Sequence, residues 1–225
     1  MSAPPEIVYD RAGFPLVWVE EIRSHIHWLP VTKIQLEHFL CEVGDSAFDA
    51  AWYDRILELN PRVSPREINE RNYWKAFATG LKPAEAERFA RWCGEDYALP
   101  TTSEWFTAYR ALRDTPLSPP DWNGALQPRV HTLLTRVREA WGRAGRSRNL
   151  PDTRAGHMLM RLGVLEWVED SDSGNGQRWG GVGLPHPDFH GVLTNPDHGM
   201  PMRPLHPETD RLFYYGFRLV RREAS

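Results

Sequence analysis

The spacing of apolar residues predicts five helices along the chain. A helix that packs against a core buries one face, so its apolar side chains recur at about every third or fourth position. The positions that fit this pattern are Leu36, Phe39, Leu40 and Val43; the stretch from Ala47 to Leu59; Ala86, Phe89, Ala90 and Cys93; Trp105, Ala108 and Leu112; and Val130, Leu133, Leu134, Val137 and Trp141.

Residues that favour helix starts precede three of these stretches. Thr32 with Gln35, and Thr101 with Glu104, match the capping box, in which each side chain satisfies a backbone N–H of the other residue. Pro83 suits the first position of a helix, where its missing N–H would have no partner. The expected helix ends are Gly44, Asn60-Pro61 and Gly94.

Short alternating stretches between Phe14 and Trp28 predict a strand or a hairpin. Trp179, beside Gly180-Gly181, lies in another predicted strand, and the sequence leaves open whether its indole is buried or exposed for binding. The region from Ser64 to Thr79 is less periodic, and we expect its aromatic residues to pack in the core. Those residues are Tyr73, Trp74 and Phe77.

Two stretches have the composition of irregular structure. Residues 115–128 are rich in Pro, Gly, Ser and Asp, as in a surface loop. Residues 171–209 contain many Gly, Pro, Asp and His residues and few aliphatic ones. A long irregular segment inside a compact domain is usually functional or mobile, so residues 171–209 are the first place to expect a binding site.

At 225 residues, with 41% hydrophobic and 25% charged residues, the chain suits one domain spanning residues 1–225. Its net charge of -3 gives no overall attraction to nucleic acid or anionic membranes. It begins without a signal-peptide pattern, and no stretch approaches the roughly 18 apolar residues of a membrane span. We therefore expect a cytoplasmic protein with no membrane partner. Its two cysteines, Cys41 and Cys93, are too few for a disulfide framework and are expected to be buried free thiols on helices.

Four short motifs follow one another along the chain. They are Pro30–Gln35 (Pro-Val-Thr-Lys-Ile-Gln), Leu99–Trp105 (Leu-Pro-Thr-Thr-Ser-Glu-Trp), Gly163–Val168 (Gly-Val-Leu-Glu-Trp-Val) and Gly216–Val220 (Gly-Phe-Arg-Leu-Val). In this order they resemble the formylglycine-generating enzymes, or sulfatase-modifying factors, which have a C-type-lectin-like fold. The resemblance covers about residues 14–222. It implies an α+β fold with helices around a small twisted antiparallel sheet and much irregular structure.

The same resemblance indicates that the family's oxidase chemistry is absent. In active members, two copper-binding cysteines follow a Gly-Gly element, and alignment on Gly180-Gly181 brings Pro185 and His190 to their positions. Neither residue supplies the thiolate that reduced copper prefers. Gly163 replaces the family's calcium-binding Asn, which removes one oxygen ligand. We therefore predict a pseudoenzyme without bound copper or calcium.

The motif residues that remain have structural roles in the family, as caps, packing residues and strand ends. They are Thr101, Glu104, Trp105, Glu166, Trp167 and Phe217. With the calcium position altered, Glu166 is expected to bond backbone groups instead.

A competing hypothesis places a metal in the irregular segment. His186, Asp188 and His190 alternate, and residues two apart on an extended strand point to the same side. Imidazole and carboxylate groups bind zinc or iron, so a divergent metal-dependent oxidoreductase is the alternative function. The other interpretation is a polar loop that is rich in His, because two prolines interrupt the alternation. Sugar binding, suggested by the lectin-like fold, is a third and weaker hypothesis.

The last predicted helix and the residues after it are unusually basic. The arginines of residues 129–154 are Arg129, Arg136, Arg138, Arg143, Arg146, Arg148 and Arg154. This composition fits a contact surface for an acidic partner or for nucleic-acid phosphates. It also fits a solvated helix face, which the negative net charge favours.

The sequence thus predicts a non-catalytic module that binds a protein or peptide. Similar domains serve as variable proteins of diversity-generating retroelements and as recognition modules in bacterial conflict and signalling systems. In such proteins a rigid core carries variable binding loops, and aromatic, Met and Arg side chains dominate binding. The candidate binding residues are Gln177, Arg178, Trp179, His186, Asp188, Phe189, His190, Asn195, His198, Met200, Met202 and Arg203.

Overall fold

A computed structural model describes residues 6–43, 48–112, 128–147, 163–170, 177–183, 206–207 and 209–223. These residues form helices and two β-sheets, so the α+β prediction is confirmed. Of the helices in these ranges, none is both long enough and apolar enough to cross a membrane.

The described residues contain five α-helices, one in each stretch with helical spacing. They are α1 (Lys33–Val43), α2 (Ala50–Leu59), α3 (Pro83–Cys93), α4 (Thr102–Leu112) and α5 (Pro128–Ser147). Helix α2 begins at Ala50 because the side chain of Asp49 accepts a hydrogen bond from the N–H of Trp52 at 2.7 Å. Pro83 is the first residue of α3, as predicted.

Both predicted capping boxes are confirmed. The N–H of Thr32 donates to Gln35 Oε1 at 2.8 Å, and the N–H of Gln35 donates to Thr32 Oγ1 at 3.4 Å. The N–H of Thr101 donates to Glu104 Oε2 at 2.7 Å, and the N–H of Glu104 donates to Thr101 Oγ1 at 3.1 Å. These bonds satisfy N–H groups that have no partner inside α1 and α4.

The described strands form two sheets. The strands are β1 (Ile7–Tyr9), β2 (Pro15–Val19), β3 (Ser24–His27), β4 (Tyr97–Ala98), β5 (Leu165–Glu169), β6 (Trp179–Val182), β7 (Tyr215–Gly216) and β8 (Val220–Arg222). The larger sheet has the order β1-β2-β3-β8-β4 with antiparallel neighbours, and β2 with β3 is the hairpin predicted between Phe14 and Trp28. The smaller sheet has the order β6-β5-β7, in which β5 and β7 are parallel.

Strand β2 is buried on both of its faces. Successive side chains of a strand point to opposite sides, so two neighbouring residues of β2 show what covers each face. Leu16 packs with α1 and α3 residues such as Phe39 and Phe89. Val17 packs with α4 and α5 residues such as Trp105 and Leu133. The larger sheet therefore separates two hydrophobic clusters. The predicted apolar stripe of α5 is confirmed, since Val130, Leu133, Leu134, Val137 and Trp141 are all buried.

The Gly-Phe-Arg segment is not one continuous strand. Strand β7 ends at Gly216 and β8 begins at Val220. Between them, the carbonyl groups of Phe217 and Leu219 accept hydrogen bonds from the N–H groups of Val31 at 2.7 Å and His27 at 2.9 Å. The chain leading into α1 thus supplies the backbone partners of this segment.

The expectation of two buried thiols is wrong for Cys41, which is exposed. Phe39 and Leu40 turn toward the core, and the next position on α1 faces away from it. Cys93 is partly buried at the end of α3, and burial raises the pKa of its thiol.

Candidate functional site

Three of the four motifs meet at one buried carboxylate. The indole Nε1–H of Trp105 donates to Glu166 Oε2 at 3.0 Å. The guanidinium of Arg218 donates to the same oxygen from Nε at 2.5 Å and to Glu166 Oε1 from Nη2 at 2.7 Å. Arg218 also donates to the carbonyl of His27 at 3.1 Å. The side chains of Arg218 and Glu166 are 0% and 1% exposed.

This arrangement corrects the expectation that Glu166 bonds backbone groups, because its partners are the side chains of Trp105 and Arg218. A buried carboxylate is tolerated only when a charge and hydrogen bonds compensate for the lost water. Both oxygens of Glu166 have such partners, so the carboxylate is committed to the core rather than to a ligand.

The Leu99–Trp105 motif has a second tie to the C-terminal strand through Glu104. Arg222 on β8 donates to Glu104 Oε1 at 3.0 Å and to Oε2 at 2.9 Å. Burial raises the pKa of Glu104, but the hydrogen bond from Arg222 and the bond from the Thr101 N–H outweigh this effect. The pKa of Glu104 therefore lies below its usual value.

The sequence did not predict a buried hydrogen-bond network around the carboxylate of Asp10. Asp10 Oδ2 lies 3.0 Å from His27 Nε2 and accepts a hydrogen bond from Gln35 Nε2 at 2.8 Å. Its Oδ1 accepts from the N–H groups of Ala12 and Phe14 at 2.8 and 2.9 Å. Asp10 thereby joins β1, β3 and α1. The only local signal is Asp10 shortly before Gly13, which is typical of a turn.

Arg178, a predicted binding residue, lies at the surface beside β6. Its Nη2 is 2.7 Å from Glu87 Oε1 on α3, and its Nε donates to Glu169 Oε1 on β5 at 3.2 Å. Its guanidinium lies 4.4 Å from the centre of the Trp179 ring, a distance typical of a cation–π contact. Partial burial lowers the pKa of Arg178, but Glu169 and Glu87 raise it above the usual value, so the side chain is charged.

A cleft of about 250 Å³ opens beside Arg178, between strands β4 and β6. Both are edge strands of their sheets among the described strands. Arg91 is exposed there and has no ion-pair or hydrogen-bond partner in the described part of the chain. The lining residues are Glu87, Ala90, Arg91, Tyr97, Ala98, Leu99, Glu169, Arg178, Trp179 and Arg222.

The structure describes three of the predicted binding residues. Arg178 is exposed and Gln177 is partly exposed. Trp179 is 2% exposed, so of the two alternatives left open by the sequence the buried indole is the one observed; the ring packs in the core and contacts the guanidinium of Arg178. The other candidates lie outside the described residues. They are His186, Asp188, Phe189, His190, Asn195, His198, Met200, Met202 and Arg203.

The proposed metal ligands His186, Asp188 and His190 therefore lie outside the described residues as well. Within the described ranges, no group of three or more His, Cys, Asp or Glu residues is arranged to hold a metal ion.

The basic surface of α5 is partly neutralised. Arg136 pairs with Glu139 at 3.2 Å, and Arg143 pairs with Glu70 at 3.4 Å. Arg138 is exposed and has no ion-pair partner among the residues that the structure covers. The side chains of Arg129, Arg146, Arg148 and Arg154 are not among those described.

Comparison with protein-family models, with curated proteins and with solved structures found no match for this chain. The resemblance to the formylglycine-generating enzymes therefore rests on the four motifs alone.

Proposed function

We propose that this protein is a non-catalytic recognition module that binds a protein or peptide, built on a scaffold of the formylglycine-generating-enzyme and C-type-lectin kind. The binding surface combines the Arg178 cleft, defined as the lining residues given above, with the segment from Gln177 to Arg203. The observation that carries the proposal is the position of this cleft between the edge strands β4 and β6.

Edge strands favour the binding of an extended peptide, because their outer N–H and C=O groups can hydrogen-bond to an added strand. The cleft also presents charges of both signs, from Glu87 and Glu169 and from Arg91 and Arg178. Such a mixture suits the polar side chains and backbone of a peptide better than an apolar ligand. The ring of Trp179 packs against the guanidinium of Arg178 and restricts its movement. This restriction reduces the side-chain entropy lost when a ligand binds.

The motif residues support a non-catalytic role, because their carboxylates already have partners within the protein, in the core for Glu166 and nearer the surface for Glu104. Glu166 is held by Trp105 and Arg218, and Glu104 by Thr101 and Arg222. A general acid, base or metal ligand needs a group that can reach the substrate. These carboxylates are instead used to connect α4, β5 and the C-terminal strand.

Selection from a displayed library of random peptides tests this proposal, with a selected peptide then measured by fluorescence anisotropy. We expect Arg178→Ala and the double variant Phe189→Ala/His190→Ala to weaken the Kd of that peptide roughly tenfold. The melting temperature should fall by no more than about 4 °C in these variants; Arg178 is exposed, and changes at exposed positions cost little stability. Arg138→Ala, on the exposed face of α5, is the matched control and should leave the Kd unchanged.

If no peptide is enriched, or if both variants bind the selected peptide as tightly as the original protein, the proposed surface is wrong. The alternative function, a divergent metal-dependent oxidoreductase, has its own test. If the protein is such an oxidoreductase, mass spectrometry of the untagged protein will find a stoichiometric transition metal, and the double variant His186→Ala/His190→Ala will have lost it. That result would replace the recognition module with an enzyme.

A further inference from the structure

A second cavity, of about 440 Å³, lies on the larger sheet, over β3 and β8. Its lining residues are Glu6, Val8, His25, Asp96, Arg221, Arg222 and Glu223. His25 on β3 and Arg221 on β8 are register partners, so their side chains share this face of the sheet. Only Arg222 is common to this cavity and to the Arg178 cleft as described. We refer to it as the His25 cavity.

His25 is a buried polar side chain whose hydrogen-bonding capacity is unused. Its residue is 7% exposed, and its Nε2 is shielded from solvent without a hydrogen-bond partner. Trp18 packs edge-on against the imidazole, with ring centroids 4.9 Å apart. A buried ring nitrogen without a partner is costly. Because the His25 side chain lines the cavity, a small rotation of the ring brings this nitrogen to a ligand that enters there.

His25 is suited to accept rather than to donate a charge-assisted hydrogen bond. Burial lowers the pKa of His25, Glu6 raises it, Arg221 lowers it and Glu223 raises it, with a net result below the usual value of 6.5. The imidazole is therefore neutral at neutral pH. A neutral imidazole offers one bare nitrogen, which can accept a hydrogen bond from an N–H donor.

The charges that remain unpaired in the His25 cavity are negative. Arg221 is paired with Asp96 at 2.6 Å, and Arg222 is paired with Glu104 at 2.9 Å. Glu6 and Glu223 are exposed, and neither has an ion-pair partner among the described residues. A cationic group can therefore enter without displacing an existing ion pair, whereas an anion would have to compete with Asp96 or Glu104.

We propose that the His25 cavity binds an organic cation with N–H donors, that is, an ammonium or guanidinium group. The group donates a hydrogen bond to the imidazole of His25, and the carboxylates of Glu6 and Glu223 balance its charge. A metal ion fits this cavity less well, because no three His, Cys, Asp or Glu residues of the described ranges are arranged to hold one. This inference does not depend on the proposed peptide-binding function.

The test is an NMR titration of the full chain that follows the His25 imidazole signals, assigned with His25→Phe. The probes are agmatine, a free guanidinium compound, and a capped Ala-Arg-Ala tripeptide, with acetate as the anionic comparison. We expect both cationic probes to shift the His25 signals and acetate to leave them unchanged. A tighter Kd for the tripeptide would show that the cation is recognised as part of a peptide, and equal values would show recognition of the group alone.

Variants connect the binding to the cavity. Glu6→Gln and Glu223→Gln should each weaken the Kd of agmatine roughly fivefold, because each removes one attractive charge. His25→Phe keeps an aromatic ring against Trp18 and should weaken it roughly tenfold. Asp54→Asn removes a comparable charge from exposed α2 and should have no effect. Because Glu6 and Glu223 are exposed, their variants are expected to fold even if His25→Phe does not.

Failure of both cationic probes to bind would overturn the proposal. So would binding that Glu6→Gln and Glu223→Gln leave unchanged, or preferential binding of acetate. Arg178→Ala should not affect agmatine, so loss of the peptide function and loss of the cation site are separate results.

Discussion

The carboxylate of Glu166 and the guanidinium of Arg218 form a two-point ion pair that is closed to solvent, with N–O distances of 2.5 and 2.7 Å. The two residues lie 52 positions apart in sequence. Their pairing fixes strand β5 relative to the segment that leads into β8. The indole of Trp105 adds the tie to α4.

Removing one partner of this pair should be strongly destabilising. Arg218→Met leaves the carboxylate of Glu166 buried without a counter-charge, and we expect the free energy of unfolding to fall by about 3–5 kcal/mol. The double variant Glu166→Gln/Arg218→Met removes both charges and keeps an oxygen for Trp105, so it should lose less than Arg218→Met. Urea unfolding measures all three proteins. A loss below about 1 kcal/mol for Arg218→Met would contradict the buried pair.

The lowered pKa of Glu104 predicts a contribution to stability that depends on pH. Because the folded state favours the ionised carboxylate, this contribution is present above the usual pKa of 4.5 and is lost as the pH falls through the lower folded value. The unfolding free energy of the original protein should exceed that of Glu104→Gln near neutral pH, by about 1 kcal/mol. The difference should shrink as the pH is lowered below 4.5. Glu95→Gln, at an exposed position, is the control for loss of a carboxylate.

Lys33 predicts a pH dependence of the same direction as that of Glu104, but in an alkaline range. Burial and then the charge of Lys75 lower the pKa of Lys33 from 10.5 to about 8, although its ammonium donates to the carbonyl of Pro61 at 3.1 Å. Between these pH values the unfolded chain binds more protons than the folded one, so the free energy of unfolding rises with pH. Relative to Lys33→Met, the original protein should gain about 1.5 kcal/mol between about pH 8 and about pH 9.5. A constant difference between the two proteins would show that Lys33 has an ordinary pKa.

Two glycines should respond in opposite ways to alanine. At Gly181 on β6, an added Cβ would overlap the ring of Tyr215, so Gly181→Ala should lower the free energy of unfolding by about 1–3 kcal/mol. At Gly142 on α5, an added Cβ meets no atom within 4 Å. Gly142→Ala should therefore raise the free energy of unfolding by about 0.5–1 kcal/mol, because alanine loses less backbone entropy than glycine when a helix forms. Thermal unfolding of both variants checks the pair, and destabilisation by Gly142→Ala would contradict the open surroundings there.

Features that depend on neighbouring residues were predictable from the sequence. The capping boxes at Thr32 and Thr101 involve residues three positions apart, and both form as expected. The hairpin between Phe14 and Trp28 and the apolar faces of the helices follow from local periodicity in the same way. The exposure of Cys41 shows the limit of this reasoning, since a helix assignment alone does not tell which face a residue occupies.

Features that depend on distant residues were not predictable. The partners of Glu166 lie 61 and 52 positions away, and the side-chain partners of Asp10 lie 17 and 25 positions away. The pattern of apolar residues predicts which parts of the chain are buried. It does not predict which polar side chains come together in the buried region. The Arg178 cleft has the same origin, because it needs α3, β4, β5 and β6 together. Trp179 was ambiguous for this reason, and only the packing of Tyr215 and its neighbours decides that it is buried.

The position of β8 between β3 and β4 also has a consequence for the order in which the protein can be made. Translation produces β3 early, whereas its hydrogen-bonding neighbour is made almost 200 residues later, as the register of Ser24 with Arg222 shows. Until then the inner edge of β3 has no partner from β8 and can pair with a strand of another chain. We therefore expect nascent chains that lack β8 to require a chaperone or to associate, and pairing of β8 with β3 to end that exposure.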